Sequence, residues 1–231
     1  MSYFENKFFL LALTFGVYLL SKFLQKKTGI LLLNPILITI AVLITFLKMT
    51  GISYETYNEG GHLIEFWLKP AVVALGVPLY LQLENIKKQL LPIILSQLAG
   101  CFIGVISVVL IASVMGATQQ TILSLASKSV TTPIAMEVTK AVGGIPSLTA
   151  AVVVCVGLFG GILGFKVMIL FKVKDSIAQG LSIGAAAHAM GASTAMGVSN
   201  EHGAYASLGL TLNGIFTALL TPSILRLLGF L

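Results

Sequence analysis

The residues best equipped for chemistry sit in two short polar interruptions of otherwise apolar sequence. The first is Ser127-Lys128-Ser129-Val130-Thr131-Thr132-Pro133, and the second is His188-Ala189-Met190-Gly191-Ala192-Ser193-Thr194. In the first, Lys128 offers a cation and Ser129, Thr131 and Thr132 offer hydroxyls. Pro133 suits the opening turn of a half-helix, where a backbone N–H would have no partner. In the second, His188, Ser193 and Thr194 supply polar groups, and Gly191 allows close backbone approach. A cation, several hydroxyls and the positive ends of two half-helices are the parts of a site for a small anion.

Each residue also has a plainer reading. Lys128 could snorkel to lipid headgroups. A lysine at a helix centre costs roughly 2.5–3.5 kcal/mol on insertion, so its setting among hydroxyls and a proline points to a cavity. For His188 two readings stay open, a ligand-facing group or a packing histidine that hydrogen-bonds locally. Glu65 and Glu137 are candidates for proton coupling. Their structural readings are a local pair with Lys69, one turn from Glu65, and a place for Glu137 at the aqueous end of its half-helix. Ser147 and Ser207 are expected to be close-packing small residues.

Catalytic constellations are nearly absent. Asp175 is the only aspartate, and there is no His-Glu-x-x-His, Cys-x-x-Cys or phosphate-binding loop. The expectation is no enzyme, no metal and no cofactor. Cys101 and Cys155 lie in apolar runs and read as small hydrophobic residues.

The elements that must position these groups are helices in lipid. Charged residues make up 10% of the 231 residues against roughly 25% in an ordinary globular domain, while 57% are hydrophobic and the mean hydropathy is +1.00. The net charge of +6 comes from scattered lysines without an aromatic-interleaved basic tract, which speaks against a nucleic-acid partner. Six clean spans are expected: Phe4 to Phe23, Ile30 to Leu47, Leu63 to Leu83, Leu90 to Met115, Ile145 to Phe171 and Ala204 to Leu225. The first reads as a retained helix with no cleavage site. The third is impure and either starts at the interface or breaks at Pro70. Gln119 to Val142 and Asp175 to Glu201, which carry the interruptions, are not clean spans.

Those two regions resemble each other in a constant register, pairing Ala126 with Ala186, Ala135 with Ala195, Met136 with Met196 and Gly143 with Gly203, and setting Lys128 opposite His188. If each interrupted segment crosses the bilayer the copies are parallel, and if each is re-entrant they are inverted. Lys22, Lys26, Lys27, Lys87 and Lys88 mark one face by the positive-inside rule, and re-entry delivers Lys172 and Lys174 to the same face. The expected architecture is therefore an all-α polytopic membrane protein, residues 1–231 as a single domain. Residues 1–117 carry the amino-terminal spans, and 118–231 hold a duplicated, inverted pair of interrupted segment plus span.

The motifs Ser124-Leu125, Lys128-Ser129-Val130-Thr131-Thr132-Pro133-Ile134-Ala135-Met136 and Gly143-Gly144-Ile145-Pro146 closely resemble the signature of the LrgB/CidB family of bacterial membrane proteins. Ala187-His188-Ala189-Met190-Gly191, then Glu201, Gly203-Ala204 and Ser207-Leu208, match its second signature. Pro70-Ala71-Val72-Val73-Ala74-Leu75 and Pro78-Leu79-Tyr80 fit its amino-terminal half. The resemblance implies a multi-pass protein of the bacterial inner membrane and two competing functions. One is antiholin- or holin-like control of murein hydrolases and lysis. The other is transport of small monocarboxylates, since plant plastid relatives exchange glycolate and glycerate and some bacterial relatives move pyruvate with a small LrgA/CidA-like partner. A homo-oligomer is also expected. Two positions depart from the family pattern, Ala126 where many members have proline and Thr194 where many have Arg or Lys. If that cation holds a carboxylate, Lys128 is the main one left here.

Overall fold

The computed structural model describes residues 6–28, 33, 35–74, 76–81 and 83–231, without the side chains of residues 65, 67–69, 71–74, 76, 78, 79 and 85. Every element longer than one residue among them is a helix, as the run of apolar segments requires in lipid, where each segment must satisfy its own backbone. The chain is an all-α polytopic membrane protein. It divides into two compact units, Met1–Ala74 and Leu75–Leu231.

The first unit holds α1 (Lys7–Thr28), α2 (Pro35–Thr50) and α3 (Tyr54–Ala74). The Thr14 hydroxyl meets the Tyr57 hydroxyl at 2.9 Å between α1 and α3, and Gly60 lets α3 approach the Lys7 carbonyl, where an added Cβ would come within 2.8 Å. Helix α3 begins at Tyr54, ahead of the expected span, and continues through Pro70, so the break considered there does not occur.

The second unit holds α4 (Gly76–Leu81), α5 (Leu83–Lys88), α6 (Leu90–Val114), α7 (Gln119–Leu125), α8 (Thr132–Ala141), α9 (Pro146–Leu170), α10 (Ser176–Met196) and α11 (Asn200–Leu227). Among the described residues, α1, α6, α9 and α11 are long and apolar enough to cross a membrane, and α2 is apolar but shorter. The boundaries follow local chemistry. Thr118, Asp175 and Ser199 cap α7, α10 and α11 by accepting from backbone N–H groups three residues on. Ile145 is extended ahead of Pro146, the first residue of α9. Gly143, at φ +82, ends α8 in the left-handed conformation, with the Gly144 N–H returning to the Thr139 carbonyl at 2.9 Å.

Both interrupted segments double back. The hydroxyl of Ser127, just past the end of α7, lies 3.1 Å from the Ala135 carbonyl and 3.1 Å from the Thr139 hydroxyl on α8. A straight path would separate residues 127 and 139 by about 18 Å at 1.5 Å per residue. In α10 the helical path is lost at Ala187 (φ −125, ψ 15) and His188 (φ 44, ψ −136). Its two arms then run antiparallel: Ile183 faces Gly164 and Ala187 faces Gly160, whereas Met190 faces Gly157 and Thr194 faces Gly161. Lys128 at the first break and His188 at the second are the pair that the internal similarity sets opposite each other.

Small residues make these arms fit. A Cβ on Gly184 would collide with the Ala206 carbonyl oxygen of α11, and one on Gly180 would lie 2.8 Å from the His202 carbonyl oxygen. Tyr205, at 1% exposed, fills the same seam.

Candidate solute-binding site

The tip of each hairpin is held by a different kind of bond. In the first, a chain of fully buried hydroxyls does the work. The Thr149 hydroxyl on α9 lies 2.9 Å from that of Thr139 and 2.9 Å from the Ser124 carbonyl, and the Ile145 N–H donates to the Ser124 hydroxyl at 2.7 Å. These bonds tie α7, α8 and the start of α9 together and satisfy backbone groups that the break would otherwise orphan. In the second, His188 is buried and its Nε2 lies 2.9 Å from the Val153 carbonyl of α9. A carbonyl can only accept, so Nε2 carries the proton in this contact. His188 also holds a positive φ that L-residues rarely adopt.

The two tips meet. Val153 packs on Val130 and Ala135 of the first hairpin while its carbonyl receives His188 of the second. On the other side Asn213 of α11, 2% exposed, donates through Nδ2 to the Ala185 carbonyl at 3.0 Å and to the Ser129 carbonyl at 3.4 Å. One amide thus spans the carbonyls left by both breaks.

Beside this junction lies a groove of about 580 Å³ between α6, the first tip and the first arm of α10. Lys128 and Ser129 line it, with the Lys128 ammonium 3.4 Å from the Ser129 hydroxyl. Ile93, Ile103, Val156 and Leu181 give it apolar walls, and Gln97 adds an amide. No carboxylate among the described residues lies within ion-pair distance of Lys128. An ammonium among apolar walls is costly without a counter-charge, and an anionic guest at Lys128 and Ser129 would offset that cost.

The other residues singled out from sequence lie elsewhere. Thr131 and Thr132 open α8 half-buried, Pro133 follows in its first turn and is exposed, and Ser193 is exposed on the returning arm of α10. Gly191 packs within its own hairpin, where a Cβ would meet the Ile183 carbonyl oxygen. Thr194 donates to the Met190 carbonyl at 3.0 Å and faces Gly161, away from the groove. His188 satisfies the packing description, with Nε2 engaged by α9. Glu137 is exposed on α8, and the side chain of Glu65 lies outside the described residues. Asn213, Gln97 and the Ser124–Thr139–Thr149 chain escaped sequence reasoning. A lone amide in each of two apolar spans was the available signal, because polar groups at membrane depth are expensive.

The geometry can be set beside known proteins. The model of the LrgB-like family matches residues 14–227. The chain belongs to the LrgB-like family. This LrgB-like chain is 33% identical to the antiholin-like protein LrgB of Bacillus subtilis, over 97% of each chain. It is 35% identical to the holin-like protein CidB of Staphylococcus epidermidis, over 94% of this chain and 95% of that one. It is 38% identical to the Bacillus subtilis protein YwbG, over 93% of this chain and 96% of that one. No solved structure matches significantly. Of the two departures from the family pattern, Ala126 is buried in the cluster around Val105 and Leu225, and Thr194 is turned onto α9.

Proposed function

We propose that this LrgB-like protein binds a small organic anion at Lys128 and Ser129 and carries it across the membrane. The observation that supports this most is the junction itself: two hairpin tips joined through Asn213, with Lys128 beside them in a groove. Two broken segments that meet are the device by which repeat-built transporters present one site to either side. The solute class proposed is a small monocarboxylate, such as pyruvate, glycolate, glycerate or lactate, because one cation and a few hydroxyls suit a single carboxylate. The same reading takes residues 118–231 as an inverted pair of units. It places the chain in a bacterial inner membrane and allows a second copy or a small LrgA/CidA-like protein beside it.

A second reading has direct support from the relatives. Two of them are named antiholin-like and holin-like, and none of the three names mentions a carboxylate. On that reading the chain modulates murein hydrolase activity and lysis, and the names back it better than they back transport.

Purified protein in liposomes separates the two. The transport reading expects saturable uptake of labelled pyruvate, glycolate, glycerate or lactate, with uncharged solutes of the same size excluded. Non-saturating leakage of all of them, or none at all, would count against it.

A further inference from the structure

The groove has a direction. Gln89 precedes α6, Asp175 caps α10, and both line it at one end. Deeper in, Ile93 of α6 packs with Leu181 of α10. At the far end Gly104, Ser129 and Ala185 come together, the last two tied by Asn213. Lining residues on α6 run from Gln89 to Gly104, a path about 22 Å long at 1.5 Å per residue.

Polar groups are spaced along this path. Ser96, Gln97 and Ser182 lie midway and Lys128 with Ser129 lie at the end. Gln97 is 3% exposed, and its amide oxygen has no hydrogen-bond partner among the described residues. A buried amide in that position is completed by a polar guest in the groove. Beyond the tip the way is shut, because Ser124, Ser127, Val130, Thr139 and Thr149 are fully buried.

The mouth is basic. Lys87 and Lys88 precede Gln89, while Lys172 and Lys174 precede Asp175, and all four are exposed. Glu84 engages one of them, Lys87, at 3.3 Å, and the Asp175 carboxylate is occupied by the Ala178 N–H at 2.8 Å. Four lysines against the carboxylates of Glu84 and Asp175 leave the rim net positive, and a net charge of one sign at the rim of an apolar-walled cleft concentrates ions of the other sign.

We propose that the groove is a one-sided aqueous vestibule for anions, entered from the face bearing Lys87, Lys88, Lys172 and Lys174 and closed beyond Lys128. By the positive-inside rule that face is cytoplasmic. What the vestibule leads to rests on the anion site proposed above, whereas its sidedness does not.

Thiol labelling tests it. In the full chain with exposed Cys155 replaced by alanine, Ser182→Cys is reacted in oriented vesicles with membrane-impermeant thiol reagents, one anionic and one cationic of similar size. Lys174→Cys serves as the marker of the basic face. Gly100→Cys is a second groove position, where an added Cβ meets nothing within 4 Å, should Ser182→Cys not fold. The expected result is reaction from the Lys174 side alone, about tenfold faster with the anionic reagent at low salt. Reaction from the opposite side, from both sides equally, or from neither would overturn the vestibule. Protection by pyruvate or glycolate reports separately on the solute: one-sided labelling without protection would sink the monocarboxylate reading and leave the vestibule standing.

Discussion

Replacing Asn213 by leucine keeps the forked shape of the side chain on α11 but removes the Nδ2 donor that reaches both hairpin tips. The bond to Ala185 is of ordinary length at 3.0 Å, and the one to Ser129 is long at 3.4 Å. Interhelical hydrogen bonds in membrane proteins contribute about 0.6 kcal/mol on average and about 1.7 kcal/mol at most. One good bond and one weak bond therefore sum to about 1–2 kcal/mol, with the upper figure applying if both carbonyls stay orphaned. Asn213→Asp should cost more than Asn213→Leu, because a carboxylate sets acceptors against two acceptor carbonyls in a buried site. Reversible unfolding in mixed micelles gives the stability change. Cysteine reactivity at Ser129→Cys in the Asn213→Leu background reports whether the tip loosens. An Asn213→Leu variant as stable as the parent, with unchanged reactivity at position 129, would refute the bridging role.

Two further outcomes follow from the backbone. His188 holds φ +44, and such a conformation costs an L-residue about 1–3 kcal/mol. Glycine escapes that cost and gives back about 0.5–1 kcal/mol in chain entropy. His188→Gly should thus be more stable than His188→Ala by about 0.5–2 kcal/mol in the same assay, and the reverse order would show that the turn is not strained. At Gly184 an added Cβ would collide with the Ala206 backbone, whereas at Gly100 it meets nothing within 4 Å. Overpacking against backbone costs about 1–3 kcal/mol or more. Gly184→Ala should therefore lose folded yield while Gly100→Ala does not, and equal yields would contradict the seam.

Much of this architecture is legible in residue order, because the bilayer leaves few alternatives. Low charge and recurring apolar runs require helices, and Ser127-Lys128 and His188 mark the breaks because neither polar run suits a lipid-facing span. What sequence could not supply was direction. Every hydroxyl near a break looks equally available, yet only Lys128 and Ser129, at a tip, line the groove. Thr131 and Thr132 sit one step further into α8, and Thr194 bonds to its own helix. His188 illustrates the same limit, since a histidine at a tip can face a guest or a carbonyl, and here Val153 takes it. Asn213 and Gln97 were hidden by the opposite bias, as single amides inside spans that otherwise read as plain membrane helices. The third region misled at one point: Pro70 suggested a break, but the helix that begins at Tyr54 runs on through it.

The central claim is that Lys128 holds the anion. Its most direct test is the concentration dependence of monocarboxylate uptake by proteoliposomes carrying the parent, Lys128→Met or Lys128→Arg. Hydrogen bonds to charged groups contribute about 1.5–3 kcal/mol, so Lys128→Met should lose roughly tenfold to a hundredfold in apparent affinity, with Lys128→Arg recovering part of it. Uptake by Lys128→Met with the parent's affinity and rate would contradict the account.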